Sequence, residues 1–574
     1  MSAQIPLTQQ TQTTGPYKYG GPVSRFVRTV QAPLSLWTAT VIGVVLVAAP
    51  IISVMVLALG EVGDIWPLVR GTMLPRMIWN TVLLLGGVAV ISGVIGVGTA
   101  WLVSMYQFPL GRFFSWALLL PMAMPAYVVA YAYVDFLDLG GPVYQVLTGL
   151  FGQQQGRLLL PHIRSLPGAV LVLSLVLYPY IYMTSRAAFV GQSGRFIDVS
   201  RTLGHSMFST FWRVAIPLAR PAIAIGMALV MMESLSDFGT VDFFAVKTLS
   251  AGLYDVWLSM GSLAGAAQIG MSMLGVIALL MVLERMGRRR QRFAGPVQTS
   301  APAGKIIVSG VKGWALCLLV ALPIVFGLLI PVCVLIKLAA SSVEGAALSA
   351  YFESAGRSIV LAGSAALITI SLGMLLAYGA RTAGNGRPAQ ALRSLTQFAG
   401  LGYALPGVVL ALGVLTVLGQ FDHLVLQPLG MQFFGVTLLT SGTVLALLFA
   451  YAVRFMSLAQ GNVEAGLTRI TPHMDMAGRT LGHGPWSLLW RVHIPMLRGA
   501  LLTGAVLIFV DCMKELPATL LLRPFNFETL ATLTYTYASL EQLEAAALPA
   551  LSIALVGLLP VFLMSRRLDK IGHL

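Results

Sequence analysis

An all-α polytopic membrane protein, with about twelve spans in two tandem sets of six, is the fold class this sequence predicts. Three observations carry that expectation. Apolar residues make up 57% of the 574-residue chain and charged residues only 10%, with a mean hydropathy of +0.84, where a soluble domain carries about 25% charged residues. Apolar stretches of about 20 residues, the length a helix needs to cross a bilayer, recur along the whole chain. The segment Arg201 to Ala222, RTLGHSMFSTFWRVAIPLARPA, also returns 278 residues later. From Arg479 to Ala500 it reads RTLGHGPWSLLWRVHIPMLRGA, identical at 13 of 22 positions, and a repeat of that length implies two equivalent halves.

The first set of spans is expected near 37–60, 78–104, 114–136, 166–188, 222–246 and 267–284. The second is expected near 313–336, 358–379, 395–418, 436–453, 499–522 and 544–565. With the amino terminus inside, 27 of the 36 Lys and Arg fall in inner segments. Eight fall outside (Arg70, Arg76, Arg157, Arg164, Lys247, Lys337, Arg357 and Arg523), and Lys514 lies within a span. That asymmetry places both termini of a multi-pass protein in the cytoplasm. It also accounts for the net charge of +15 without nucleic acid as a partner. Residues 1–36 read as a disordered polar tail, 37–284 as the first half, 285–312 as a flexible basic linker, and 313–567 as the second half. Cys317, Cys333 and Cys512 lie in apolar spans without metal or disulfide spacing and read as packing residues. No external segment is large enough to capture a solute, so another polypeptide is expected to deliver it.

The repeated polar segments occupy loops 189–221 and 459–498. In the first, Asp198 to Leu203 can form a short helix that Gly204 ends in a left-handed turn. Ser206 can then cap a second helix, Met207 to Ile216, which Pro217 should break. In the second, Gly482 ends the first helix, Gly484 stands at the cap and Pro485 takes the first turn. Phe208, Phe211, Trp212 and Ala215, matched by Trp486, Leu489, Trp490 and His493, form a face expected to pack beneath the spans. Arg201, Leu203, Gly204 and His205, with Arg479, Leu481, Gly482 and His483, are left to project as knobs suited to a groove on another protein.

This pattern resembles the EAA loop of ABC importer permeases: Glu-Ala-Ala, three residues, Gly, nine residues, then Ile-x-Leu-Pro. Copy one matches as Asp198-Val199-Ser200, Gly204, Ile216 and Pro217. Copy two matches as Met476-Ala477-Gly478, Gly482, Ile494 and Pro495. Neither copy keeps the Glu; in the second, Met476 replaces it and Asp475 stands beside it, which leaves the ion pairing of that position open. The resemblance implies a MetI-like permease fold and loops that insert into two copies of a cytoplasmic ABC ATPase, which use ATP and Mg. It also implies the bacterial cytoplasmic (inner) membrane, with a periplasmic solute-binding protein as donor. The chain itself has no P-loop, because Ile306 follows Gly304-Lys305 and Thr299 stands where the first glycine belongs, so it is not expected to be an enzyme. Segments 118–138, 232–244 and 511–532 are most similar to ferric-iron-type permeases, which implies ferric iron as solute. Thiamine, polyamine and oxyanion permeases are the related alternatives.

The 278-residue offset pairs Glu233 with Asp511 and Asp237 with Glu515, so each half should set two carboxylates at i and i+4 on one helix face. A charge at mid-bilayer costs about 2.5–3.5 kcal/mol, and an acidic pathway for a hard cation would use such oxygens. The plainer alternative places the acids at the external interface or pairs them internally, with Lys514 neutralising Asp511 or Glu515. Tyr127, Tyr131, Tyr133 and Asp135 could offer further oxygens, although an aromatic belt accounts for tyrosines at that depth. A twelve-span secondary transporter is the competing class, but its usual acid-containing loop between spans 2 and 3 reads here as MYQFPLGRFF (105–114), without an acid. A membrane enzyme is disfavoured, since no nucleophile motif or metal spacing stands out.

Overall fold

The computed structural model describes residues 34–61, 66–191, 199–289, 305–341, 345–384, 386–400, 402, 405–428 and 440–571. Most of the tail 1–36, most of the linker 285–312 and Asp198 lie outside them. The protein is an all-α polytopic membrane protein with about twelve transmembrane helices in two tandem halves.

In the first half the spans are Ser35–Leu57, Trp66–Met105, the bent pair Gly111–Ala123 with Ala126–Phe151, Leu166–Gly191, Met207–Ser236 and Leu263–Glu284. The second half repeats them as Gly310–Ser341, Leu348–Thr382, Gly407–Leu426, the bent pair Val444–Arg454 with Met456–Leu467, and Pro485–Met513. A shorter apolar helix, Leu543–Leu559, follows as the twelfth. The tenth span differs from the one expected at 436–453. Arg454 ended the apolar window there, yet the chain only bends by 49° and continues to Leu467, so Arg454 lies within the span and not beyond it. The ninth span differs too, because residues 395–399 belong to a separate amphipathic helix, Arg387–Ala399.

Each half lends its first helix to the other. Leu34–Leu57 packs on Gly345–Thr382 and Gly407–Phe421 of the second half. A Cβ at Gly413 would strike the Pro50 carbonyl, and Ser53 Oγ donates to Gly413 O at 2.9 Å; small residues at such crossings let backbones approach closely. The mirror contact sets Gly327 against Leu175 O, 2.7 Å from where a Cβ would stand. Tyr133 Oη donates to Phe326 O and Tyr535 Oη to Asp242 Oδ2, both at 2.6 Å, as further ties between the halves.

Among the described residues the only β structure is a parallel pair of two-residue strands, Tyr106–Gln107 with Ile306–Ile307. It pins the end of the linker to the first half, where Lys305 Nζ donates to Val103 O at 3.0 Å. Burial, with Arg186 and Arg112 nearby, holds that ammonium below its usual pKa.

Candidate functional site

Both repeated loops join the fourth and fifth spans of their half, and the six-span offset brings them out on the same face. Their backbones are built alike. Gly204 and Gly482 both have φ of 83°, a left-handed conformation that glycine adopts without a Cβ penalty. Gly204 N donates to Arg201 O (2.9 Å) and His205 N to Ser200 O (3.1 Å). Gly482 N donates to Arg479 O (2.9 Å) and His483 N to Gly478 O (3.1 Å). This is the Schellman termination, made twice. Ser206 Oγ accepts from Ser209 N at 3.2 Å, while Gly484 caps with Pro485 at the first helical position. His205 and His483 each place Nδ1 near the hydroxyl four residues on, Ser209 at 3.3 Å and Ser487 at 3.1 Å, so these rings brace the turn. Leu203 and Leu481, 72% and 78% exposed, are apolar tips on otherwise polar knobs.

Pro217 and Pro495 do not break the second helix. A π turn, Phe211–Ala215 in one copy and Leu489–His493 in the other, precedes them. Its bonds, Ile216 N to Phe211 O and Ile494 N to Leu489 O, run i to i−5, and the prolines open the following α-helix where a missing donor costs little. The wide turn also shifts the apolar register. Phe211, Ala215, Leu489 and His493 turn inward as expected, whereas Phe208, Trp212, Trp486 and Trp490 are exposed.

Further along the same helices the halves enclose a cavity of about 140 Å³. The Ile216–Ser236 helix, 21 residues long, sets it roughly 30 Å from the loops. The lining pairs by the same offset: Val176 with Arg454, Glu233 with Asp511, Ser236 with Lys514, and Asp237 with Glu515. A cavity lined by equivalent positions of both halves lies on their common axis.

The profile of the family described as binding-protein-dependent transport system inner membrane component matches residues 92–292 and again 369–570. The chain belongs to this family. It is thus a permease of ABC importers, the non-catalytic membrane subunit. The Fe(3+)-transport system permease protein FbpB 2 of Haemophilus influenzae is 24% identical over 507 residues, 86% of this chain and 90% of that protein. The molybdenum transport system permease protein ModB of Escherichia coli is 26% identical over 228 residues, 38% of this chain and 96% of its own. The sulfate transport system permease protein CysT of Salmonella typhimurium is 25% identical over 215 residues, 37% of this chain and 74% of its own.

The permease does bring Glu233, Asp237, Asp511 and Glu515 together around one cavity, but not as i, i+4 pairs on one helix face. The fifth-span helices end at Ser236 and Met513. Asp237 and Glu515 stand in the breaks and cap the short helices Gly239–Phe243 and Pro517–Leu522. Asp237 Oδ1 accepts from Thr240 N (3.0 Å) and Val241 N (3.3 Å), and Oδ2 from Thr240 Oγ1 (3.1 Å). Glu515 Oε1 accepts from Ala518 N (3.0 Å) and faces Arg454 Nη1 (3.3 Å), while Oε2 accepts from Thr519 N (2.9 Å) and Thr519 Oγ1 (2.5 Å). Lys514 pairs with Asp511 at 2.8 Å, and not with Glu515. The apolar run after Glu515 hid the helix break from sequence reasoning. Arg454 was missed because it passed for a flanking charge; its 278-residue relation to Val176 was the available signal.

Tyr127, Tyr131 and Tyr133 are buried inside the bundle and form no interfacial belt, because the Ala126–Leu137 helix packs against the second half's Ile330–Ser341 helix. In the second loop Asp475 makes the ion pair that the substitution at Met476 left open. Arg381 Nε and Nη2 reach Asp475 Oδ2 at 3.1 and 3.0 Å, and His493 Nε2 lies 2.8 Å from Oδ1. Burial alone would raise the Asp475 carboxyl, but His493 and Arg381 outweigh it and hold the group below the usual carboxylate range. The first half carries Val103 and Ala215 at the positions equivalent to Arg381 and His493, so this bolt exists in one loop only.

Proposed function

We propose that this permease moves ferric iron inward by alternating access, with both termini and both loops on the cytoplasmic side. A periplasmic solute-binding protein delivers the cargo. Two copies of an ABC ATPase, using ATP and Mg, grip the loops around Asp198, Arg201, Leu203, Gly204, His205 and Pro217 in one half. In the other they grip those around Arg479, Leu481, Gly482, His483 and Pro495. The observation that carries the reading is the duplicated Schellman-capped knob, because two such knobs with exposed leucine tips suit a symmetric pair of grooves. A rigid helix of roughly 30 Å links each knob to the cavity, so motion at the loops reaches the halves' common axis. The ferric assignment draws on the ferric-transport relative that spans most of the chain and on carboxylate oxygen, which suits hard cations. Vesicles holding the whole complex test it with a panel of ferric iron, molybdate, sulfate, thiamine and polyamine. ATP- and Mg-dependent accumulation of iron is expected; accumulation of an oxyanion or organic solute in its place would contradict the assignment.

A further inference from the structure

Three cations at the loop-bearing end of the first half stand together without an acid to balance them. Lys305, where the linker rejoins the fold, gives Nζ to Val103 O at the end of the second span. The fourth span brings two arginines toward it. Tyr182 Oη donates to Ser115 O at 2.9 Å and so ties that span to the short helix Gly111–Ala117, which carries Arg112. Arg186 stands one helical turn beyond Tyr182 on the same face. Both guanidinium groups act on the Lys305 ammonium and, after burial, help to hold its pKa down. Among the described residues none of the three cations forms an ion pair. The second half closes the equivalent end internally, because Arg381, the counterpart of Val103, pairs with Asp475.

Two further observations say what would balance them. Arg186 Nε is buried without a hydrogen-bond partner. Ser104, next to Val103, and Ser185, next to Arg186, are 7% and 0% exposed, and their hydroxyls have no partner either. Buried donors left unpaired are costly to keep, and a phosphate supplies the missing acceptors, with oxygens for a guanidinium fork and for an ammonium. Around the cations the surface is apolar. Leu110, Phe113, Ile307, Val311 and Trp314 are all exposed, and the helix that bears the last two, Gly310–Ile324, packs on Gly111–Ala117. Unpaired cations beside an apolar flank match a phospholipid, which sets its phosphate on the one and its acyl chains along the other.

We infer that Arg112, Arg186 and Lys305 hold the phosphate of an anionic phospholipid headgroup. The fourth span runs from Arg186 straight into loop 189–221, so the bound headgroup steadies the root of the first knob. The site rests on the unpaired charges and not on the solute that is carried; only the leaflet it faces follows from the orientation proposed above.

The purified full-length permease is titrated with phosphatidylglycerol and with phosphatidylcholine, each carrying the same fluorescent acyl chain, and then with inorganic phosphate as competitor. Phosphatidylglycerol should bind the more tightly. Arg186→Gln and Lys305→Met should each weaken it about fivefold, the factor one basic residue contributes at an anionic surface. Arg387→Gln, on the amphipathic helix of the second half, should leave it unchanged. An unaltered thermal midpoint in each variant separates loss of the site from loss of the fold. Displacement of the lipid by inorganic phosphate, with the same dependence on Arg186 and Lys305, would overturn the lipid assignment in favour of a soluble phosphate at the same site. Equal binding of the two lipids without such displacement, or an equal loss in Arg387→Gln, would overturn the site itself. Neither result depends on which solute the vesicles accumulate, so the ferric reading stands or falls separately.

Discussion

At the residue scale, ion pairs hold the second half's acids at the cavity, Lys514 on Asp511 and Arg454 beside Glu515. Glu515 is buried and caps a helix while facing Arg454, so Glu515→Ala removes an acceptor for two amides and strands a guanidinium. Breaking such a buried pair costs about 3–5 kcal/mol, and the thermal midpoint of the purified permease should fall accordingly. Asp237→Asn, which retains an acceptor, should lower it far less. Asp475 supplies a pH dependence of definite sign. Its folded pKa is depressed, so its contribution is present above the ordinary carboxylate value of about 4 and lost as pH falls through the lower folded value. The stability difference between wild type and Asp475→Asn should therefore shrink as pH falls below about 4, where the carboxylate with the depressed pKa takes up its proton. A difference that stays unchanged through that acidic window would contradict the assigned pairing.

At the element scale, the loops show which local signals a sequence transmits. Gly204, Ser206, Gly482, Gly484 and Pro485 each have a backbone role fixed by chemistry, and each stands where that chemistry required. The prolines misled because a π turn ahead of them removes the clash an α-helix would suffer, and that turn has no residue signature of its own. The same turn rotated half of the expected apolar face outward. Asp237 and Glu515 lay inside spans expected to be continuous, 222–246 and 499–522, and a break inside a span leaves little trace in averaged hydropathy; Gly239 after Asp237 and Pro517 after Glu515 were the hints. A β-branched residue cannot hold φ of +83° without strain. Gly204→Val with Gly482→Val should therefore unwind both turns, and abolish ATP-driven uptake while the spans remain folded. Circular dichroism and uptake in vesicles check the two halves of that statement.

At the scale of the molecule, the sequence announced two six-span halves but not that each surrenders its first helix to the other. Nothing in Leu34–Leu57 distinguishes a neighbour in one half from a neighbour in the other, since the partner is decided by packing of Gly413 against the Pro50 carbonyl across hundreds of residues. That exchange makes the halves interdependent. A chain divided at residue 297 and coexpressed as two pieces should reassemble and copurify, while either piece alone should be unstable in detergent. Copurification that fails even with both pieces present in the membrane would show that the continuous linker is needed.

The central claim is that the two matched knobs are the handles of a separate ATP-hydrolysing subunit. A photoreactive amino acid placed at Leu203, and separately at Leu481, in the complete complex tests it most directly. Both positions should crosslink to the ATPase subunit, and with an efficiency that changes on ATP binding. Failure of both to reach that subunit, in a complex that still transports, would contradict the account.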